Sequence, residues 1–297
     1  MEDKERIHFD DAISRNKIKS FFLILIIFAV LVLLSYVIGL IYSDYFFLIL
    51  IAGIIISILY VVISYYNSDK IALASTKAKE ADPRIYRQYH NIVEGLCLAS
   101  GLPKPRLYIL PSQQINAFAS GRNPEHSVLA VTEGAIQKLS KPELEGVIGH
   151  ELSHIANYDI RFMTLAAVMI GMIAIISQIF LRSLWFSGGG RDRDNKNAVL
   201  MIIGVLLAIL APIAVQLVQL AISRKREYAA DASSVKFTRS PTGLINALKK
   251  IENDNHPVKV SGALSPLFMS DPGRRDLSDI FATHPSLKKR IEILERM

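Results

Sequence analysis

The sequence predicts a mainly α-helical integral-membrane fold in which four membrane-crossing helices carry a cytoplasmic part with a small β-sheet. Three observations predict it. First, 51% of the 297 residues are hydrophobic, too many for an ordinary soluble domain. Second, the excess is concentrated in four stretches, 21–42, 45–66, 162–181 and 198–222, none of which contains Lys, Arg, Asp or Glu. Each is about 20 residues or more, the length an α-helix needs to cross about 30 Å of hydrocarbon. Third, two of these stretches precede and two follow a region of mixed composition that holds His150-Glu151-Leu152-Ser153-His154.

The net charge of +7 does not point to nucleic acid, because the basic residues follow the membrane edges. Lys17 and Lys19 precede the first span, Lys70, Lys77 and Lys79 follow the second, and Arg224, Lys225 and Arg226 follow the fourth. Positive charge flanks cytoplasmic ends, so both termini and the histidine motif belong on the cytoplasmic side. The loop at 182–197, with Arg182, Arg191, Arg193 and Lys196 against two aspartates, departs from a clean outer loop. The even number of spans and the basic N-terminal flank hold the assignment. No span carries a charged residue to mark a transport pathway, which argues against a transporter. The first apolar run is longer than a signal-peptide core and no small-x-small cleavage site follows it, so it reads as a retained anchor. A single cysteine, Cys97, excludes an intramolecular disulfide and reads as a small buried residue on a helix.

In chain order, residues 1–20 mix acids and bases and read as a cytoplasmic tail. The apolar hairpin of 21–66, separated only by Ser43 and Asp44, reads as an anchor. Residues 67–161 form the first cytoplasmic part. Asp82-Pro83 is a helix start, Asp as N-cap and Pro at the first helical position, and Ile85, Tyr89, Ile92, Val93 and Leu96 keep helical period until Gly101. Strand-like runs at 106–110 and 128–132 flank the segment Asn116-Ala117-Phe118-Ala119-Ser120-Gly121. Ser140-Lys141-Pro142-Glu143 is a capping box that opens the histidine helix, and Asn157 and Asp159 close it. A second apolar hairpin occupies 162–222, with a turn at Ser187-Gly188-Gly189-Gly190 and a kink at Pro212. The second cytoplasmic part, 223–297, begins as an unbroken continuation of the fourth span to Ala232, which carries Glu227 about 7 Å past the hydrocarbon. Ser240-Pro241 opens a helix through Lys250, 253–273 reads as loop, and 285–296 as a final amphipathic helix.

Residues four apart on a helix share a face, so His150 and His154 can offer their imidazoles to one ion with Glu151 beside them. Two neutral imidazoles suit Zn²⁺, and a neighbouring carboxylate can take a proton from a water that the ion acidifies; this is the pattern of a zinc hydrolase. Such a site wants a third protein ligand, for which Glu227, Asp231, His256 and His284 are available. Glu227 is favoured because its helix returns to the leaflet of the motif, with Asp231 one turn on to orient a histidine. Only eight residues separate His154 from Phe162, about 12 Å of helix, which puts the ion near the membrane surface.

These segments, together with Ser223-Arg224-Lys225-Arg226-Glu227-Tyr228-Ala229-Ala230-Asp231 and Thr283-His284-Pro285-Ser286-Leu287-Lys288-Lys289-Arg290-Ile291, resemble in order and spacing the HtpX family of membrane-bound zinc metallopeptidases. The chain is more distantly similar to the CAAX prenyl proteases. The resemblance implies a zincin-like metallopeptidase domain with one Zn²⁺ per chain. It implies Glu227 as third zinc ligand, Glu151 as general base and Asp231 as the acid that supports the site. Asn116 and Ala117 match an edge-strand motif that hydrogen-bonds an extended substrate, and His284 and Arg290 match a pair that stabilises the tetrahedral intermediate and braces the site. Ser286 stands where relatives often have a second proline, which touches nothing catalytic. The expected activity is endopeptidase action on unfolded or extended polypeptide, chiefly membrane proteins in quality control, from the lipid bilayer of a prokaryotic inner membrane. A CAAX-type processing protease and a metal-stabilised scaffold without activity are the alternatives. Oligomeric state is not legible.

Overall fold

The structure, a computed structural model, describes residues 9–41, 43–168, 171, 204, 224–254, 267–269 and 285–297. The N-terminal helix α1, Phe9–Ile41, and α2, Phe46–Tyr66, are joined by a short 3-10 turn at Ser43–Tyr45 and pack against each other as the expected hairpin. Both are long and apolar enough to cross a membrane, at Ile13–Leu40 and Phe46–Tyr66, and most of each span is exposed rather than buried in protein. The expected third and fourth spans fall almost wholly outside the described residues; residues 162–168 are helical.

The start of α1 corrects one expectation. Residues 9–20 are not a tail but helix continuous with the first span. Asn16 and Ser20 are buried there, Asn16 bonds to Asn157 and Asp159, and Leu23 and Ile27 pack on Phe162, Leu165 and Ala166, so this end of the helix is docked on the chain just after the histidine motif.

After α2 come α3 (Ser68–Thr76), β1 (Lys79–Glu80), α4 (Arg87–Ser100), β2 (Arg106–Leu110), β3 (Ala117–Gly121) and β4 (Ser127–Thr132). Helix α4 begins later than Asp82-Pro83 suggests. Asp82 closes a single turn instead, its carbonyl accepting from the backbone N–H groups of Ile85 and Tyr86, and Ile85 is exposed. Tyr89, Ile92, Val93 and Leu96 are buried as the period requires.

The strands form one mixed sheet in the order β1-β2-β4-β3, with β2 and β4 parallel and the outer pairs antiparallel. Alternate residues of a strand face opposite sides. Here Leu107, Ile109, Ala117, Ala119, Leu129 and Val131 join the main core, while Leu110, Phe118, Val128 and Ala130 pack with Ala72 and Leu73 of α3 and with Met163 and Ala167. The sheet is therefore covered on both faces, which is why all six residues of β4 are buried.

Helices α5 (Glu133–Lys138) and α6 (Lys141–Ala156) follow, then α7 (Arg224–Thr238), α8 (Thr242–Asn253) and α9 (Leu287–Leu294). The start of α6 is as the sequence reads, the Ser140 backbone N–H donating to Glu143 Oε2 at 2.7 Å. Glycine lets α6 and α8 meet backbone to backbone. A Cβ on Gly146 would lie 2.5 Å from the Leu244 nitrogen, and one on Gly243 would lie 2.2 Å from the Pro142 carbonyl oxygen. Ser234 Oγ of α7 donates to the Gly146 carbonyl at 2.7 Å. These approaches fix α6 between α7 and α8 with its histidine face turned inward.

Candidate metal centre

His150 and His154 sit one turn apart on α6, both buried, with Nε2 atoms 3.2 Å apart and rings perpendicular. Helix α7 places Glu227 opposite them, Oε2 at 3.5 Å from His150 Nε2 and Oε1 at 3.6 Å from His154 Nε2. A tetrahedral ion with bonds of about 2.0–2.2 Å separates its ligands by roughly 3.3–3.5 Å. The three side chains thus stand at the spacing of a single metal site.

The other imidazole nitrogens are paired in a way that suits this donor set. His150 Nδ1 lies 2.9 Å from Asp231 Oδ1 and His154 Nδ1 lies 3.0 Å from Asp159 Oδ2. An Nδ1–H donated to a carboxylate leaves the Nε2 lone pair for a metal. Beside the pair, Glu151 is buried and its Oε1 has no hydrogen-bond partner among the described residues. Burial pushes its carboxyl above the usual carboxylate range, the charges of His150 and His154 pull the other way, and Glu227 adds to the rise. A buried carboxylate oxygen left without a donor is costly unless water or an ion belongs there.

Two braces hold the ligands. On one side Arg290 of α9, fully buried, grips Asp231 with both arms, Nη2 to Oδ1 at 2.6 Å and Nε to Oδ2 at 2.9 Å. Burial favours a neutral Asp231, but the Arg290 guanidinium and His150 outweigh it and hold the carboxyl below its ordinary value. Arg290 Nη2 is also 3.2 Å from His150 Nδ1, because both donors converge on the same oxygen. Burial and Arg290 pull the pKa of His150 down, yet Asp231 and Glu227 hold it up at about 9, so without a metal the pocket favours a positive charge on this ring. On the other side, Arg226 Nε donates to Asp159 Oδ1 at 2.8 Å, and Asn16 Nδ2 of α1 donates to the same oxygen at 2.7 Å.

Of the residues singled out from the sequence, His150, Glu151, His154, Glu227, Asp231 and Arg290 converge. Ala117 opens β3, the strand at the sheet edge that packs against α6, and Asn116 immediately precedes it. Both are buried. The Ala117 carbonyl accepts from the Met269 backbone N–H at 3.0 Å and Phe118 forms an antiparallel bridge with Phe268, so this edge is already paired with a short piece of the same chain. His284 and His256 lie outside the described residues. Asp159 and Asn16 were not picked out. An acid just after the motif helix and just before an acid-free apolar run was a usable signal for Asp159. Asn16 is 143 residues from Asp159, and no spacing rule reaches that far.

Two histidines a helical turn apart, a carboxylate from a second helix and a buried glutamate whose Oε1 has no partner among the described residues make up a candidate metal-dependent hydrolase centre. Residues 83–297 match peptidase family M48, and the chain belongs to that family of metallopeptidases. It is similar to a protease HtpX homologue of Caldanaerobacter subterraneus subsp. tengcongensis, 45% identical over 240 residues that cover 79% of this chain and 80% of the other. It is similar also to a protease HtpX homologue of Lactobacillus helveticus, 40% identical over 293 residues covering 96% and 98%. A solved structure, that of S. mikatae Ste24p, aligns over 96% of this chain and 67% of its own, with 18% identity and a TM-score of 0.49.

Proposed function

We propose that the chain is a membrane-anchored zinc endopeptidase that cleaves unfolded or extended polypeptides, chiefly misfolded membrane proteins, at the cytoplasmic face of a prokaryotic inner membrane. The observation that carries the chemistry is the convergence of His150, His154 and Glu227 next to the orphaned oxygen of Glu151. His150, His154 and Glu227 hold the ion. Zinc bound there would supply a Lewis acid able to acidify a water and polarise the scissile carbonyl. Glu151 accepts the proton of the attacking water and delivers it to the leaving amine nitrogen, a task suited to a carboxyl already raised by burial. Asp231 and Asp159 keep both imidazoles in the tautomer that turns Nε2 to the ion. His284, by the family resemblance, donates to the developing oxyanion.

An extended substrate adds to β3 at Asn116 and Ala117, taking backbone hydrogen bonds in exchange for those of Phe268 and Met269. Recognition through backbone favours unfolded stretches over particular sequences. The anchor is α1 and α2, whose apolar faces are largely exposed, with the two further apolar stretches completing four spans. The lipid bilayer is thus the expected partner, and nucleic acid is not.

The test is metal analysis and a casein assay on protein purified in detergent after lysis with a zinc chelator and reloading with zinc. Glu151→Gln should keep about one zinc per chain and lose cleavage; Glu227→Ala should lose both. Undiminished cleavage by Glu151→Gln would remove the general-base role, and a wild type that takes up no zinc would remove the metal site.

A further inference from the structure

Asn16 has no place in the chemistry above, yet its side chain is fully used. It lies on α1 with 6% of its surface exposed. Its amide Nδ2 donates to Asp159 Oδ1 at 2.7 Å and to the Asn157 carbonyl at 3.0 Å, and its Oδ1 accepts from Arg226 Nη2 at 3.4 Å. An asparagine amide has two N–H donors and one carbonyl, so every part of it is committed. Asp159 divides its carboxylate in turn, Oδ2 to His154 Nδ1 and Oδ1 to Asn16 and Arg226. Asn16 stands in the 28-residue stretch Ile13–Leu40 that is apolar enough to span a membrane. One turn on, Ser20 Oγ donates to the Asn16 backbone carbonyl, and Ser20 is buried on the same face of α1.

We infer that Asn16 is a positioning residue for the metal centre: through Asp159 it holds the His154 imidazole in its metal-binding orientation and tautomer. The inference rests on the reading of His150, His154 and Glu227 as metal ligands. The N-terminal helix is then part of the active site and not only its tether. A carboxylate that orients a metal-bound histidine must itself be fixed, because free rotation of Asp159 would let His154 turn with it. Arg226 supplies charge at Oδ1, and the planar amide of Asn16 supplies direction, since its second N–H is locked to the end of the helix that carries both histidines.

A purely structural reading has Asn16 docking α1 and nothing more, and the two can be separated. The zinc dissociation constant is measured by chelator competition on the full chain in detergent, with the melting temperature of each variant, for wild type, Asn16→Ala, Asp159→Asn, the double variant and Leu23→Ala. Leu23 is the control because it packs α1 on Phe162 and Leu165, and its aliphatic side chain can make no hydrogen bond to Asp159. Outer partners of metal-bound histidines are worth about 10–100-fold in affinity. Asp159→Asn should lose that much, and Asn16→Ala, one bond further out, roughly 3–10-fold. Leu23→Ala should lower the melting temperature and leave zinc affinity within about 2-fold. In the Asp159→Asn background, Asn16→Ala should have little further effect on affinity, as expected of groups acting in series. The inference is overturned if Asn16→Ala weakens zinc no more than Leu23→Ala does, or if its effect simply adds to that of Asp159→Asn. A wild type without measurable zinc affinity would instead sink the metal site itself.

Discussion

The two histidines of the motif helix look equivalent in sequence and are held in different ways. His150 is braced by a carboxylate on α7 that is gripped by an arginine of α9, 140 residues from the histidine. His154 is braced by an acid only five residues further on, placed beneath the ring by one left-handed residue, Tyr158 at φ 58°. That acid is then fixed by Asn16 and Arg226, which lie on the two helices next to expected membrane spans. One ligand is thus tied through Asp231 to Arg290 of α9, and the other through Asp159 to Asn16 of α1, the helix that carries the first apolar span.

The largest effect that could break this comparison comes from removing the arginines. Arg290 makes two short bonds to Asp231 where both are fully buried, so Arg290→Ala strands a carboxylate with no solvent to replace the loss. Breaking one partner of a buried pair costs about 3–5 kcal/mol. Arg226 makes one such bond to Asp159, is itself 9% exposed, and leaves Asn16 behind as a donor, so Arg226→Ala should cost about 1–3 kcal/mol. Thermal unfolding of the two zinc-free variants would show it. Equal losses would mean that the two braces are energetically alike and that the distinction drawn here is only geometric.

What was legible follows the same division. The motif, its capping box, Glu227, Asp231 and the strands at 106–110 and 128–132 could be read because each depends on local period or on a resemblance carried by a few residues. The resemblance also pointed to β3, whose short run of small residues carries no alternating pattern of its own. The helical continuation at 9–20 was hidden because charged residues there argue for a tail, while its contacts are long-range, among them one asparagine reaching across to the far end of α6 and a lysine over the Tyr158 ring. Helix α3 was missed for a similar reason. Its apolar residues Ala72 and Leu73 form a core only with Phe118, Val128 and Met163. Periodicity reports what a segment does with itself, and these segments are ordered by what they meet.

A smaller effect sharpens the brace of His150. Asp231 is held below its ordinary pKa in the folded protein, so the stability it contributes is present above its unfolded value, about 3.9, and is lost as pH falls from there through the folded value. Zinc-free wild type should therefore show a melting temperature that falls steeply below about pH 4. Asp231→Asn should melt lower at neutral pH and show a shallower fall across that window. Parallel curves would mean that another carboxylate sets the acid limb.

The smallest effect tests the local brace of His154. A left-handed conformation costs an ordinary residue about 1–2 kcal/mol relative to glycine, so Tyr158→Gly relieves strain at the turn that sets Asp159 in place. Against this stand the loss of the Lys17 ammonium over the Tyr158 ring, 4.5 Å from its centroid and worth about 0.5–1 kcal/mol, and the added freedom of glycine in the unfolded chain, about 0.5–1 kcal/mol. The sum is close to zero, and Tyr158→Gly should shift the melting temperature by no more than a few degrees and leave zinc affinity unchanged. Tyr158→Pro, which cannot adopt a positive φ, should instead lose zinc, because the chain can no longer bring Asp159 under His154. If the glycine variant also loses zinc, the tyrosine ring and its contact with α1 carry the brace, and the backbone turn does not.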